Sequence, residues 1–264
     1  MGNEQDVIPV IRTIATRYPF PDTVSATIPL PEEREIHEWT VLYRDLDDDY
    51  DILSSSISND ERQIASQFKK TTDARDYTLR HGYLRLVLGR YLRTDPARVP
   101  LVTRENGKPD LGLPEGTSPL SFSLSHSREM IALAVAARFD VGIDIVQPDE
   151  RYPVQETMDY LWSPEERTEI RKIPADRQRQ VFFTVWALKE ALLKARGGTA
   201  MMMRETDISE IIGFLAAGIQ DPVRCRIAGH LFFLSGAPAG NGHYCAIAAR
   251  ERQNIGIGFH SLPV

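Results

Sequence analysis

The sequence predicts an α+β fold of two similar lobes with a ligand-binding cleft between them, and two observations carry this prediction. The chain has 264 residues, of which 42% are apolar and 26% charged, an ordinary composition for a globular protein with one large core or two smaller ones. No literal repeat is present, but a capped short helix, a long helix and then strands occur from Ser58 to Ser127 and again from Ser163 to Ala249. We therefore expect an N-terminal arm at 1–35, an α+β lobe at 36–127 and a second α+β lobe at 128–264, which carries the functional site.

The first lobe is expected to contain a strand, two helices and a further strand. Alternating residues predict the first strand from His37 to Leu46. Ser58 precedes an acidic turn and caps a short helix, and apolar residues at helical spacing predict a long helix from about Asp73 to Arg93, with arginines around its surface. The strand Ser121–Ser127 should bury its Phe and Leu side chains and turn its serines to the opposite face.

The second lobe begins with two short strands. Residues Met130–Ala137 and Val141–Val146 are expected to pair with each other across a short polar turn. Ser163 then caps a helix with proline at its first position, and a long helix from about Asp176 to Arg196 ends at a pair of glycines. Two strand-like segments complete the lobe: Val223–Leu234 and His243–Ala249.

Charge, cysteine content and hydropathy argue against several classes of function. The formal net charge of −6 is unfavourable for a nucleic-acid surface, because binding to nucleic acid needs clustered basic residues. Cys225 and Cys245 lack the spacing of a zinc site or a disulfide framework, which favours a reducing, cytoplasmic compartment. We find neither a targeting segment nor an apolar run of the roughly 20 residues that span a bilayer, so no membrane role is expected.

The first candidate for chemistry is Asp144, a single acid in the apolar strand Val141–Val146. Alternation places Asp144 on the same strand face as Gly142 and Val146, and the glycine should leave room beside the carboxylate. A carboxylate among β-branched residues is costly to bury unless a cation or a hydrogen-bond donor is its partner. An arginine pair or a turn cap would also satisfy it, so Asp144 alone leaves a functional site and a structural role equally open.

The long helix of the second lobe offers partners for this acid. Trp186, Glu190 and Lys194 are spaced four residues apart and therefore share one helix face. The Glu–Lys pair could be no more than an ion pair on the helix surface. Two acids brought together across a cleft nevertheless suit Mg²⁺, which binds few protein carboxylates and prefers phosphate oxygens as its remaining ligands.

Cationic residues elsewhere would complete a phosphate site. Lys108 lies in a turn with an Asn-Gly pair, and His126 stands among serines at the end of a strand, although each could be an ordinary loop residue. Arg75 and Arg85 of the long first-lobe helix are further donors for phosphate. Such a set suits phosphoryl-type transfer, which needs positioning and charge neutralisation more than covalent catalysis.

A Ser-His-Asp hydrolase can also be drawn, from Ser125, His126 and Asp144. This alternative is disfavoured, because the serine and histidine are adjacent in the chain and no Gly-x-Ser-x-Gly turn surrounds them.

Four motifs of the sequence resemble those of a known family. In order, they are Asn106-Gly107-Lys108-Pro109, Phe122-Ser123-Leu124-Ser125-His126-Ser127, Val141-Gly142-Ile143-Asp144-Ile145 and Trp186-Ala187-Leu188-Lys189-Glu190-Ala191-Leu192-Leu193-Lys194-Ala195-Arg196-Gly197. Together they resemble the motifs of the 4′-phosphopantetheinyl transferases, in particular the larger two-lobed type typified by the surfactin-synthetase activator. The resemblance is clear from about Phe68 to Gly198 and loose in the C-terminal strands. It implies two lobes in a pseudo-twofold arrangement with the active site in the cleft.

The resemblance also implies an activity and a set of site residues. Such enzymes move the phosphopantetheine arm of coenzyme A onto a serine of an acyl or peptidyl carrier protein and release adenosine 3′,5′-bisphosphate. Asp144 and Glu190 would hold Mg²⁺ against the pyrophosphate, Glu190 would be the base for the carrier serine, directly or through a water, and Lys194 would stabilise the leaving group. The residues implied to bind coenzyme A are Lys108, Pro109, Ser125, His126, Lys189 and, at the 3′-phosphate, Arg75. A cytoplasmic monomer is expected.

Two positions depart from the family pattern. Many members carry a further acid two residues after the strand aspartate, where this chain has Val146, so a water is expected to fill that ligand position. Ser123 stands where Asn is common, which should change one hydrogen bond and leave the chemistry intact. Two alternatives stay open: a non-catalytic coenzyme A or carrier-protein binding module of the same fold, and a Mg²⁺-dependent nucleotide pyrophosphatase.

Overall fold

The computed structural model of the protein describes residues 10–13, 28–105, 107–114, 117–198, 202–217 and 222–251. The strands in these ranges are β1 (Val10–Thr13), β2 (Glu35–Leu42), β3 (Leu101–Thr103), β4 (Pro109–Leu111), β5 (Ser121–His126), β6 (Met130–Ala136), β7 (Phe139–Val146), β8 (Val223–Ile227), β9 (His230–Gly240) and β10 (His243–Glu251). The α-helices are α1 (Tyr50–Ser56), α2 (Asn59–Ser66), α3 (Thr71–Leu92), α4 (Val154–Leu161), α5 (Pro164–Arg171), α6 (Ala175–Arg196) and α7 (Ser209–Ala216). The predicted α+β class is confirmed, and none of the helices in these ranges has the length and apolar content needed to cross a bilayer.

The first sheet has the strand order β1-β2-β6-β5, with β1 parallel to β2 and the other neighbours antiparallel. Strand β1 comes from the predicted N-terminal arm, most of which, at 1–9 and 14–27, lies outside the described residues. The 22-residue helix α3 packs on one face of this sheet, and its C-terminal half is buried all round. Two of its arginines, Arg85 and Arg90, are therefore buried, although the sequence predicted a surface helix.

The second sheet has the order β7-β10-β9-β8 and is antiparallel throughout. Helix α6, also of 22 residues, packs on its outer face together with α5 and α7. A small hairpin of β3 and β4 completes the strand pairing.

The two sheets face each other across a buried cluster of their own. Strand β6 contributes Ala132, Ala134 and Ala136 to this cluster, and β7 contributes Val141 and Ile143. The larger side chains of β6 point the other way, towards α3, so β6 is buried on both faces. Small alanine side chains between the sheets allow the two layers to pack closely.

Each long helix is preceded by a short helix that begins in the same way. Ser58 accepts a hydrogen bond from the backbone N–H of Glu61, whose carboxylate accepts one from the Ser58 N–H. Ser163 and Glu166 form the same capping box at the start of α5. Both predicted caps are confirmed, and both satisfy backbone donors that a helix start leaves without partners.

The resemblance between the lobes continues into the long helices. In each lobe the capping-box glutamate pairs with a buried cation of the long helix, Arg85 in α3 and Lys189 in α6, both at 2.5 Å. Each cation lies eight residues before the left-handed residue that ends its helix (85 to Arg93, and 189 to Gly197). These matching positions support the predicted pseudo-twofold relation, which local sequence identity does not reveal.

One predicted strand pairing is wrong. Strands β6 and β7 do not pair with each other: β6 lies between β2 and β5, and β7 pairs with β10. Since β6 belongs to the first sheet, strand pairing favours a lobe boundary in the turn between β6 and β7, whereas the sequence-based boundary at 127/128 precedes β6. The division into lobes stays a prediction.

Candidate active site

The site forms along the edge of β7, where it meets the edge of β5. Three alternate serine hydroxyls of β5 accept hydrogen bonds from three alternate backbone N–H groups of β7: Ser121 from Val141 at 3.3 Å, Ser123 from Ile143 at 3.1 Å and Ser125 from Ile145 at 3.3 Å. The prediction that Ser123 and Ser125 share a strand face is thus confirmed, and that face is buried against β7. The hydroxyls satisfy edge donors that would otherwise be buried without partners, and they join the two sheets by side chains.

Two lysines bind carbonyl groups of the same edge. Lys108, just before β4, donates to the carbonyl oxygens of Val141, at 3.0 Å, and of Lys194, at 2.9 Å. The Lys194 ammonium donates to the carbonyl oxygen of Ile143 at 3.0 Å. Desolvation lowers the pKa of Lys108 to about 8, against the opposing effect of two nearby aspartates. Lys108 thereby ties the first lobe to both β7 and the end of α6.

Asp144 is the centre of the site. One of its carboxylate oxygens, Oδ1, accepts hydrogen bonds from the Ser125 hydroxyl, at 2.7 Å, and from the Lys194 ammonium, at 2.8 Å. Glu190 lies near enough for the two charges to interact: burial first, and then the charge of Asp144, raise the pKa of Glu190, while Lys194 opposes the shift. The structure therefore brings together Asp144, Glu190, Lys194 and Ser125, as the sequence predicted.

Helix α6 reaches this strand because of Gly142. The sequence predicted open room beside Asp144, but the helix backbone fills that room. A Cβ at position 142 would lie 1.8 Å from the carbonyl oxygen of Ala191 and 2.6 Å from the backbone nitrogen of Ala195. Glycine is thus needed for α6 to cross β7 so closely that Glu190 and Lys194 face Asp144.

His126 stands at the exposed end of β5, beside several cations. Desolvation of the ring, and then the charges of Arg80, Lys194 and His81, lower the pKa of His126 to about 4. Arg80 and His81 lie on α3 in the first lobe, whereas Lys194 lies on α6 in the second. Cations from both lobes around a neutral imidazole form an environment that favours an anion.

Three predicted residues have other contacts in the structure. Lys189 is fully buried, with its ammonium 2.7 and 2.5 Å from the two carboxylate oxygens of Glu166. Arg85 is also buried, because its guanidinium binds Glu61 and backbone carbonyls. Arg75 pairs with Asp47 at 2.6 Å, away from the contacts that surround Asp144. The structure therefore does not bring these three cations to the Asp144 cluster.

The donor set fits a Mg²⁺ ion shared with a ligand. Within the described ranges, no three His, Cys, Asp or Glu side chains gather as a metal-binding group, which agrees with Val146 in place of a third acid. The two acids Asp144 and Glu190 remain, and the repulsion that raises the pKa of Glu190 is the kind that a divalent cation relieves. Mg²⁺ binds through one or two carboxylates and takes phosphate oxygens and water for the rest.

The contacts of Ser125 exclude the hydrolase alternative for this trio. Its hydroxyl donates to Asp144, not to His126. Arg80 and His81 of α3 also influence His126; the sequence predicts Arg80 only as one of the arginines around this helix, and His81 is not among the predicted site residues. The sequence alone could not show that these two residues lie near His126. The packing of α3 against β5 determines which turn of the helix faces this histidine.

Comparisons with known proteins agree with this geometry. A family model described as the 4′-phosphopantetheinyl transferase superfamily matches residues 140–230, which contain all of β7 except its first residue and the whole of α6. The chain is 30% identical over 175 residues to the 4′-phosphopantetheinyl transferase HetI of Nostoc sp., covering 66% of this chain and 74% of that protein. It is 32% identical over 158 residues to a phosphopantetheinyl transferase of Thraustochytrium sp., covering 55% and 54%. It is 35% identical over 107 residues to the 4′-phosphopantetheinyl transferase AcpT of Escherichia coli, covering 40% and 53%. The chain thus spans about half the length of the last two relatives.

Proposed function

Because the chain belongs to the 4′-phosphopantetheinyl transferase superfamily, we propose that it transfers the 4′-phosphopantetheine arm of coenzyme A to a serine of an acyl or peptidyl carrier protein. It would thus act as an enzyme of the holo-[acyl-carrier-protein] synthase type. The observation that carries this proposal is the meeting of Asp144, Glu190 and Lys194 where α6 crosses β7. Two acids next to an ammonium group suit a metal-bound pyrophosphate better than a neutral ligand.

In the proposed reaction, the carrier serine oxygen attacks the phosphorus that bears the pantetheine arm. A new phosphorus–oxygen bond forms, the bond to the bridging oxygen breaks, and adenosine 3′,5′-bisphosphate leaves. The serine hydroxyl loses its proton, which Glu190 accepts, directly or through a water. This role of Glu190 rests on the family resemblance: burial, and then the charge of Asp144, raise the pKa of Glu190 in the metal-free protein, and bound Mg²⁺ would offset the second effect.

The other residues of the site bind and orient. Asp144 and Glu190 would hold Mg²⁺, which when bound neutralises charge on the pyrophosphate. Lys194 would stabilise the leaving phosphate, since its ammonium already lies 2.8 Å from the Asp144 carboxylate. Ser125 orients that carboxylate, and His126 with its cationic neighbours would bind a phosphate.

The remaining contacts to coenzyme A rest on the family resemblance. Lys108 and Pro109 would lie beside the nucleotide, with the Lys108 ammonium joining the lobes. Arg75 would bind the 3′-phosphate by exchanging its present partner Asp47. We assign Lys189 to the scaffold, because its ammonium is fully buried. A monomer is proposed, since one chain contributes both carboxylates, and the cytoplasmic location stays a prediction.

Mass spectrometry of a carrier protein tests the proposed function. The protein is incubated with coenzyme A, Mg²⁺ and each of several apo carrier domains, from fatty-acid, polyketide and nonribosomal-peptide pathways. At least one carrier should gain the mass of one phosphopantetheine arm, and omission of Mg²⁺ should prevent the gain. No mass change on any carrier would contradict the proposal.

The same reactions separate the alternatives. A binding module of the same fold would bind coenzyme A with unchanged affinity in Glu190→Gln and transfer nothing. A nucleotide pyrophosphatase would release free phosphopantetheine without any carrier. Chromatography of the small-molecule products distinguishes this hydrolysis from transfer.

A further inference from the structure

A serine–histidine pair joins the two lobes beside the candidate site: Ser127 ends the second sequence motif, but neither Ser127 nor His243 has a role in the proposed mechanism. Ser127 immediately follows His126 in the turn between β5 and β6, and His243 begins β10 in the other sheet. The Ser127 hydroxyl and His243 Nε2 are 2.8 Å apart, and His243 is 1% exposed. A buried histidine that binds across a lobe interface fixes the relative position of the two segments.

The hydrogen-bond pattern determines the direction of this contact. His243 Nδ1 lies 3.0 Å from the carbonyl oxygen of Asn241, which can only accept, so Nδ1 carries a hydrogen. In the neutral ring Nε2 is then an acceptor, and the Ser127 hydroxyl donates to it. The turn that holds Asn241 has positive φ angles from Gly240 to Gly242, and the strand register shifts between His243 and Tyr244, directly after this turn.

Ser127 also organises its own turn. Its hydroxyl oxygen accepts hydrogen bonds from the backbone N–H groups of Glu129, at 3.3 Å, and Met130, at 3.1 Å, while its own N–H donates to the Met130 carbonyl at 2.8 Å. Both lone pairs of the hydroxyl are therefore engaged, which makes Ser127 a poor nucleophile. The contacts instead hold the turn that carries His126.

The pair lies at the end of the second sheet that faces the site. Two residues beyond the bulge, Ala246 pairs with Asp144, and Tyr244 pairs with Val146. The His126 ring is influenced by Lys194, which binds Asp144. The turn that positions His126 in the first lobe is thus fastened to the strand that neighbours Asp144 in the second.

We propose that Ser127 and His243 are positioning residues that fix His126 relative to the Asp144 cluster, and so set the affinity of the cleft for the phosphates of coenzyme A. This inference rests on the proposed function. The pair touches neither the phosphates nor the metal ligands and acts through the turn that His126 begins.

Calorimetric titration of the protein with coenzyme A in the presence of Mg²⁺ tests this role. Ser127→Ala should weaken binding about fivefold, the equivalent of about 1 kcal/mol for one hydrogen bond. His243→Gln, whose amide oxygen can accept from Ser127, should retain more affinity than His243→Ala. Ser55→Ala and His230→Asn, at exposed serine and histidine positions, are the matched controls and should bind as the wild type does. Thermal denaturation confirms folding of each variant, and Ser127→Ala decides the outcome if the His243 variants do not fold.

A double-mutant cycle with His126→Ala separates positioning from general destabilisation. If the pair acts through His126, Ser127→Ala should weaken coenzyme A binding in the wild-type background and cause no further loss in the His126→Ala background. Equal losses in both backgrounds, or wild-type affinity in Ser127→Ala, would overturn the inference and leave the proposed function intact. A wild-type protein that does not bind coenzyme A would overturn both.

Discussion

At the scale of single residues, Asp144 shows how a carboxylate is held in an apolar strand. Its partners are the hydroxyl of Ser125, from the strand of the other lobe, and the ammonium of Lys194, from the helix above. The side chain is largely buried, so each donor offsets part of the cost of removing the charge from water. The sequence left open whether Asp144 belongs to a structural ion pair or to a functional site. Glu190 favours a site, because a second acid near Asp144 is electrostatically unfavourable in the absence of a further cation.

His126 gives a pH-dependent prediction at the same scale. Desolvation and cations lower its pKa from the usual 6.5 to about 4, so the free protein holds a neutral ring at pH 6. A phosphate beside the ring raises the pKa, so coenzyme A binding at pH 6 should take up a proton, and affinity should rise as the pH falls from 7 to 5. Titrations in buffers of different ionisation enthalpy measure this uptake. His126→Gln should reduce it, and an unchanged uptake in that variant would show that another group takes the proton.

Lys189 gives a prediction about stability. Lys189→Met leaves the Glu166 carboxylate buried without its cation and should lower the free energy of unfolding by about 3–5 kcal/mol. The double variant Lys189→Met/Glu166→Gln should recover part of this loss, because glutamine removes the charge and its one amide oxygen still accepts from either the Ser163 or the Ile208 backbone N–H, which bind different oxygens of Glu166. Lys172→Met breaks an exposed pair with Glu169 and is the matched control, with a change below about 1 kcal/mol. Urea denaturation would contradict the structural role of Lys189 if both lysine variants were equally stable.

At the scale of elements, the site depends on the contact between α6 and β7. Gly142→Ala places a methyl group against the backbone of α6 and should destabilise the protein by about 1–3 kcal/mol or more, because neither backbone can yield without disturbing a buried layer. Gly213→Ala in α7 is the control: its Cβ meets open space, and alanine should add about 1 kcal/mol of stability in a helix. Denaturation of both variants tests the contact, and a Gly142→Ala protein as stable as the wild type would contradict it.

The elements also show what local sequence determines. The capped helix starts at Ser58 and Ser163 were predictable, because a capping box is formed by residues three positions apart. The partner of β6 was not, because a strand buried on both faces carries no alternation that selects a neighbour, and the short turn before β7 resembled a hairpin. One neighbour of β6 is β5, which directly precedes it, and the other is β2, which is distant in sequence, so only the assembled sheet determines which side of β6 each strand occupies.

At the scale of the whole molecule, each sheet carries a capped short helix and a long helix, and in the described ranges the acids Asp144 and Glu190 both belong to the second sheet and its long helix. If the long helices are matched at Arg85 and Lys189, the positions equivalent to Glu190 and Lys194 are Leu86 and Arg90 in α3. The first lobe therefore lacks the second acid and contributes cations and hydroxyls instead. The sequence assigned Ser125 to the first lobe and Asp144, Glu190 and Lys194 to the second. It could do so because each of these residues lies in a short sequence motif. The motif did not reveal that Lys189, although next to Glu190 in sequence, lies on a different face of its helix and pairs with Glu166 of α5.

The two lobes meet along a seam, the line of side-chain contacts that runs between β5 and β7. The described contacts join β5 to β7 through serine hydroxyls, and Lys108 links the first lobe to β7 and α6. A seam held by side chains places polar groups and cations along the line where a pyrophosphate would lie.

The most direct test of the central claim is the rate at which Asp144→Asn transfers phosphopantetheine to an apo carrier protein. Asparagine keeps the shape of the side chain and an acceptor for Ser125 but removes the charge. Intact-mass analysis over a range of Mg²⁺ concentrations, with the exposed Asp149→Asn as the control, should show a loss of at least about a hundredfold in rate and a higher Mg²⁺ requirement for Asp144→Asn alone. Transfer by Asp144→Asn at the wild-type rate, with unchanged Mg²⁺ dependence, would contradict the assignment of this cluster as the active centre.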